Sequence, residues 1–459
     1  MRTTHHAAVS RRDATIALAL TCAVSFVSTL DISIVILAFG DMQESFDAST
    51  ASLSWVLTAY TIVAAALLVP SGRLSDRVGA RRTFLAGIAL FTLGSLGAGL
   101  AFSVWVLIAA RVVQAVGSAL RAPASLAIIS HYFHENRASA VGVWGATSGL
   151  GSALGPSVGA LITDTLGWRW VFLVNVPLGI AVVLIGLRAL GRIERTDRAQ
   201  QPDFTGSLLI LVGVAAVTFA LVQSEEWGWG ARTVGIAVLG AALVAWLLVR
   251  CRSHPSPVID LRLFRIPSFR HANLIAFVFP MAFFVQFFGI VRFFNDEWGD
   301  SSLRAGMRIT PTSAIAAALT VVAGRLADRH GHRAVMLPGT LLYAAGALWL
   351  AMTLDAEHDP WGAWAPAAVL LGVGVGLTYA SFNSAAVHAL PPERYGAGGA
   401  VNLTINRVGG TFGVAIAVAL LGSDPDASTY RSLWWLMFAA SLLSALVTLR
   451  IDTRRAMSD

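Results

Sequence analysis

The sequence predicts an all-α integral membrane protein with about fourteen transmembrane helices. Three observations carry this. Of the 459 residues 56% are hydrophobic and 13% are charged, with a mean hydropathy of +0.68. Soluble domains carry about 25% charged residues, so a water-soluble globule and a disordered chain are both excluded. Apolar runs long enough to cross ~30 Å of hydrocarbon as helices recur along the chain, and the loops between them alternate between basic and acidic.

The first run, 14–39, follows Arg2, Arg11 and Arg12. It exceeds the ~7–15 apolar residues of a signal-peptide core and reads as an uncleaved anchor with its N-terminus inside. Runs 53–71 and 83–102 flank a loop with Arg73, Arg77, Arg81 and Arg82, and runs 105–129 and 138–163 flank Arg137. Runs 170–189 and 204–222 enclose Arg188, Arg192, Arg195 and Arg198. Runs 234–250 and 272–294 enclose Arg252, Arg262, Arg265 and Arg270, and runs 305–323 and 335–353 enclose Arg325, Arg329 and Arg333. Runs 364–388 and 397–421 flank Arg394, and Arg450, Arg454 and Arg455 close the last run, 433–450. The opposite loops carry Asp41, Glu44 and Asp47, then Asp164, Glu225 and Glu226, Asp296, Glu297 and Asp300, Asp355, Glu357 and Asp359, and Asp424 and Asp426. This bias places both termini in the cytoplasm of a plasma-membrane protein. Trp55, Trp105, Trp168, Trp227, Trp229, Trp361 and Trp434 fall near outer span ends, as an interfacial aromatic belt.

All 33 basic residues are arginine, and the net charge is +7. Clustered in loops of one side, they read as an orientation signal, so nucleic acid is not an expected partner. Cys22 and Cys251 form no disulfide framework. His131-Tyr132-Phe133-His134-Glu135 lacks a further metal ligand, and no Gly-Lys-Ser/Thr loop supports direct use of ATP. No metal or cofactor is expected.

The chain repeats itself. Gly72-Arg73-Leu74-Ser75-Asp76-Arg77-Val78-Gly79-Ala80-Arg81-Arg82 returns as Gly324-Arg325-Leu326-Ala327-Asp328-Arg329-His330-Gly331-His332-Arg333. Eight spans separate the copies, so both face the cytoplasm. Two six-helix bundles, 1–193 and 262–459, with two extra helices in a linker at 194–261, satisfy this spacing. Gly72 reads as ending its helix, and Asp76 as accepting from helix-end N–H groups and pairing with arginine. Gly151, Gly155 and Gly159 lie on one helix face with Pro156 among them, a surface for close helix approach.

These residues resemble the major facilitator superfamily and, within it, the fourteen-span drug:proton antiporter family. The first loop is similar to the motif between spans 2 and 3. Arg111-Val112-Val113-Gln114-Ala115-Val116-Gly117 resembles the span-4 motif, with Ala115 where glycine is usual, and Gly151 to Ala160 resembles the span-5 antiporter motif, with Ala160 in place of a glycine. Leu30-Asp31-Ile32-Ser33-Ile34-Val35 is similar to the span-1 motif, although Ile36 and Gly40 replace its Asn and Pro, and Trp168-Arg169-Trp170 through Asn175, Pro177 and Gly179 also fits. The resemblance implies the major facilitator fold and export of small amphipathic drugs or natural products in exchange for protons. It makes Gly72, Asp76, Arg77, Gly79, Arg81, Gly324, Asp328 and Arg329 a cytoplasmic gate, and the face of Gly151, Gly155, Pro156 and Gly159 a surface that slides during antiport. An importing symporter or uniporter, or a non-transporting receptor or scaffold, is the alternative. A monomer in contact with membrane lipid is expected.

Charges inside spans are costly, about 2.5–3.5 kcal/mol on insertion scales, and need a reason. Asp31 is the one acid placed deep in a span, and Arg111 lies at a similar depth; the pair is the candidate proton-coupling site. Arg111, Gln114, Ser118, Arg121 and Ser125 share about 80° of helix arc, which reads as the lining of a substrate cavity. With Arg407 also deep, the interior is more cationic than anionic, which favours neutral or anionic amphiphiles over cations. Gln286 within a Phe-rich span, and Thr378 and Ser381 with Ser384 and His388, complete the candidate cavity.

Overall fold

The computed structural model describes residues 11–133, 137–191, 203–388, 390, 394–422 and 425–451, and its regular structure there is helical. The long helices are α1 (Arg11–Leu37), α2 (Thr50–Val78), α3 (Ala80–Gly99), α4 (Val104–Tyr132), α5 (Arg137–Leu166), α6 (Asn175–Ala189), α7 (Phe204–Trp227), α8 (Ala231–Ser253), α9 (Pro267–Asp296), α10 (Ser302–His330), α11 (His332–Thr353), α12 (Ala365–His388), α13 (Tyr395–Leu421) and α14 (Ala427–Thr448). Among the described residues thirteen helical segments are long and apolar enough to cross a membrane, α6 with the short turn before it counting as one. The thirty-residue α5 stands in the place of the remaining run.

The ends of α2 and α10 correct the sequence reading. Gly72 and Gly324 do not end a helix; both lie inside one. An apolar run marks where hydrocarbon stops, whereas a helix stops where its backbone hydrogen bonding is broken. Here the break is at Gly79 and Gly331, with φ of 105° and 87°, a region open to glycine. Asp76 is exposed and does not cap α3, whose N-cap position, Gly79, receives no side-chain bond. The N-terminal ends match too: Ser49 Oγ accepts from Ser52 N at 3.2 Å, and Ser301 Oγ from Arg304 N at 3.4 Å. Between serine cap and terminal glycine the two helices are equal in length, 29 residues, so the repeat covers the whole helix.

In the N-terminal half α1 packs on α5, α4 on α2 and α3, and α3 on α6. In the C-terminal half α9 packs on α13 and α14, and α12 on α10 and α11. Two seams join the halves, α2 with α13 and α5 with α10. The hairpin α7–α8 lies beside the first seam, α7 touching both α2 and α13. The end of the hairpin where α7 begins and α8 finishes is clamped. Asp203 caps α7 through Gly206 N at 2.9 Å and takes two 2.8 Å bonds from Arg250, while Arg73 of α2 donates to the carbonyls of Ser256 and Pro257 at 2.6 and 2.8 Å. Trp434, expected in the aromatic belt, is instead fully buried against Phe293 and Gly289, because its helix turns that face into the bundle.

Candidate functional site

The glycines of α5 settle which surface they serve. A Cβ on Gly151 would strike Phe26 O and one on Gly155 would strike Ser33, both of α1, and one on Gly159 would lie 2.9 Å from Ile34 Cα. They seat α5 against α1 within one half. The cross-half face of α5 is offset from them. There a Cβ on Gly306 of α10 would come 2.7 Å from Pro156 O and 2.5 Å from Ala160 Cβ, and Ser157 Oγ meets Thr310 Oγ1 at 2.5 Å. The methyl of Ala160, where a glycine is usual, is thus accommodated by a glycine on the facing helix.

Asp31 and Arg111 meet as the sequence suggested. Arg111 Nη1 donates to Asp31 Oδ2 at 2.6 Å, and both side chains are fully buried. Three more groups complete the cluster. Asn175 Nδ2 donates to Asp31 Oδ1 at 3.0 Å, Arg111 Nη1 also reaches Gln114 Oε1 at 2.9 Å, and Gln114 Nε2 donates to Ser95 Oγ at 2.6 Å. Arg111 Nε donates to Val56 O at 3.1 Å, and its guanidinium stands 4.2 Å from the Tyr60 ring centre. Every polar group facing Asp31 is a donor, an arrangement suited to a carboxylate. Among the described residues Arg111 Nη2 finds no acceptor.

The stripe on α4 divides. Gln114 turns toward α3, where the absence of a side chain on Gly94 makes room for it, so it lies in a polar seam inside the half rather than in a cavity wall. Ser118 takes bonds from Tyr60 Oη at 3.0 Å and Arg121 Nη2 at 3.2 Å. Ser125 bonds back to the carbonyl of Arg121. Arg407 of α13 shares a helix face with Thr404 and Thr411, which bond Ala65 O at 3.4 Å and Thr61 Oγ1 at 2.8 Å, so it is set against the stretch of α2 that carries Tyr60.

Gln286 accepts from Tyr343 Oη at 2.7 Å inside the C-terminal half, Thr378 packs against Gly339 of α11, and Ser381 bonds to Leu377 O. All three side chains are buried. Phe279 and Phe283 join Tyr379 in an aromatic cluster with centroid separations of 6.0 and 5.6 Å, turned into the bundle. Ser384 meets His332 at 3.0 Å, and the His332 and His388 rings are 5.3 Å apart. In the gate motifs Arg81 donates to Leu187 O at 2.6 Å, capping the C-terminus of α6, while Arg77 and Arg329 are exposed. The side chain of Asp328, and His134 and Glu135, lie outside the described residues.

Ser95, Tyr60 and Asn175 were absent from the sequence-derived site. Ser95 and Tyr60 carry no signal in an apolar run; Asn175 was visible only as part of the Trp168–Gly179 resemblance.

Repeated halves of membrane helices around a charged interior define a polytopic membrane carrier. The chain belongs to the Major Facilitator Superfamily, whose family model matches residues 21–413 and 272–458. It is 33% identical over 403 residues to the methylenomycin A resistance protein of Streptomyces coelicolor, covering 87% of this chain and 84% of that one. It is 32% identical over 423 residues to the cephamycin export protein CmcT of Amycolatopsis lactamdurans, covering 90% and 86%, and 32% identical over 404 residues to the multidrug resistance protein Stp of Mycobacterium tuberculosis, covering 87% and 74%. The fold is shared with a bacterial homologue of the human lysosomal transporter Spinster, solved inward-facing and unoccupied, at a TM-score of 0.69 and 15% identity over 96% of this chain and 98% of that one.

Proposed function

We propose that this protein is a fourteen-span drug:proton antiporter that exports small amphipathic compounds across a plasma membrane by alternating access, with both termini in the cytoplasm. The observation that carries the reading is the fully buried Asp31–Arg111 pair in a chain whose relatives are named for drug resistance and export. Asp31 is the proton carrier. While Arg111 and Asn175 hold it, the carboxylate is compensated; when helix motion withdraws Arg111, an unpaired buried carboxylate costs more than its protonated form, and a proton is taken up. Substrate binding from inside restores the pair and releases the proton. The repeated loop motifs form the cytoplasmic gate, with Asp76 exposed and ready to pair in the closed state. The chain acts as a monomer with no cofactor but the proton gradient.

The test is transport in proteoliposomes with an imposed pH gradient, using cationic, neutral and anionic amphiphiles. Efflux-direction accumulation that collapses with the gradient supports the reading. Gradient-driven movement toward the cytoplasmic face would identify a symporter instead, and no gradient-dependent flux of any compound would leave a receptor or scaffold.

A further inference from the structure

Arg121 and Arg407 are guanidiniums from opposite halves that share one region of the protein. Arg121 is 5% exposed; its Nη2 donates to Ser118 Oγ, and its buried Nε has no acceptor among the described residues. Arg407 makes no ion pair among the described residues, and it shares its face of α13 with Thr404 and Thr411, which bond Ala65 O and Thr61 of α2 at 3.4 and 2.8 Å, so it is set against the stretch of α2 that carries Tyr60. The Asp31 carboxylate is already held by Arg111, Gln114 and Asn175, and among the described residues Arg121 makes no ion pair. The hydroxyls of Tyr60 and Ser118 border the same region, and the Phe91 ring centre lies 5.8 Å from the Arg121 guanidinium.

Two like charges brought together away from bulk water repel each other, and an anion between them relieves both. A guanidinium presents a planar fork of donors that matches a carboxylate, and an aromatic neighbour suits the apolar part of the same molecule. A lipophilic cation meets repulsion from both sides. We infer that the junction of α2, α4 and α13 binds the acidic group of an amphipathic anion, with Arg121 gripping it from one half and Arg407 from the other. This rests on the transporter reading above and adds the charge of the substrate. Because each half supplies one arginine, a movement that separates them weakens the grip, which couples release to the change of access.

The experiment measures binding of 2-naphthoate and of uncharged 2-naphthamide to the purified full-length protein in phosphatidylcholine nanodiscs by calorimetry. The acid is expected to bind at least about tenfold more tightly than the amide. Arg121→Gln and Arg407→Gln should each weaken the acid by about tenfold and leave the amide within about twofold, while Arg407→Lys, which keeps the charge, retains most of the preference. Should Arg121→Gln fail to fold, Arg407→Gln at its half-buried position decides alone. Displacement of naphthoate by added phosphatidylglycerol assigns the anion site to a lipid headgroup, and no displacement assigns it to a soluble acid; either outcome supports anion binding. Equal affinity for acid and amide in the wild type, or a preference unchanged in Arg407→Gln, overturns the inference. Gradient-driven export of neutral or cationic compounds alongside equal affinities overturns this inference alone, whereas acid preference without gradient-driven export of any compound overturns the transporter reading alone.

Discussion

Asp31 sits where one missing charge has two separable effects. Asp31→Asn keeps an acceptor for Asn175 but leaves the Arg111 guanidinium buried without its anion. Removing one partner of a buried pair costs about 3–5 kcal/mol, so the variant should melt at a lower temperature. If Asp31 carries the proton, the folded variant also loses accumulation driven by a pH gradient yet retains downhill exchange of substrate. A folded Asn variant that still drives uphill transport at near-normal rate removes Asp31 from coupling. The pair was legible in sequence because charges inside apolar runs are few and these two lie at similar depth. The destination of Gln114 was not. A helical wheel gives the face a residue occupies, but not which neighbour stands there, and the space beside Gly94 on α3 decided it. Asn175 was overlooked as part of the site because a neutral amide costs too little to demand explanation from composition alone, although it supplies a direct bond to the one deep acid.

The helices show where sequence pattern and backbone physics part. Apolar runs located the spans, but the full length of α2 and α10 came from Gly79 and Gly331, residues outside those runs. The glycine spacing of α5 revealed a close-packing face but not its partner, since the same stripe fits α1 or α10 equally well until the helices are placed. The inserted hairpin offers an element-level test. Burial alone would raise the Asp203 carboxyl, but bonds from Gly206 N and Arg250, with the charges of Arg250 and His254, outweigh it and hold the pKa below the ordinary carboxylate range. A depressed folded-state pKa contributes stability above the unfolded-state value and loses it as pH falls through the folded-state value. Asp203→Asn should therefore cost roughly 1–3 kcal/mol at neutral pH through the lost charged bonds and weakened cap. That deficit should shrink as the pH is lowered into the acid range, where the wild-type carboxylate is itself protonated. Melting curves of the two proteins across pH check this; a deficit that is constant with pH assigns the loss to packing.

At the scale of the whole molecule, orientation and movement remain to be tried together. The loop charges put Asp355 outside, so in a variant with Cys22 and Cys251 replaced, Asp355→Cys should react with an impermeant thiol reagent from the outer face only; reaction only from the cytoplasm would invert the topology. Movement is constrained by where the halves touch. Phe39 and Phe288 pack edge to face at 5.4 Å near the C-terminal ends of α1 and α9, the side that the loop charges assign to the outside, Arg292 reaches Thr50 at 3.3 Å, and Ser157 meets Thr310 toward the C-terminal end of α5 and the N-terminal end of α10. Deeper, the α2–α13 seam is bridged by Thr411 to Thr61 at 2.8 Å. If access alternates by tilting one half against the other, the outer contacts part when the protein opens outward, while the deeper ones act nearer the pivot. The pair Ser157→Cys and Thr310→Cys tests this directly. The two hydroxyl oxygens are 2.5 Å apart, so sulfurs in their places are poised to join with little backbone adjustment. Oxidation should lock the outer side shut and stop transport, and reductant should restore it. A single Cys at either position should be insensitive to oxidant. Full transport by the verified cross-linked protein would mean that the α5–α10 seam stays closed throughout the cycle, and that substrate leaves by a path other than separation of the halves.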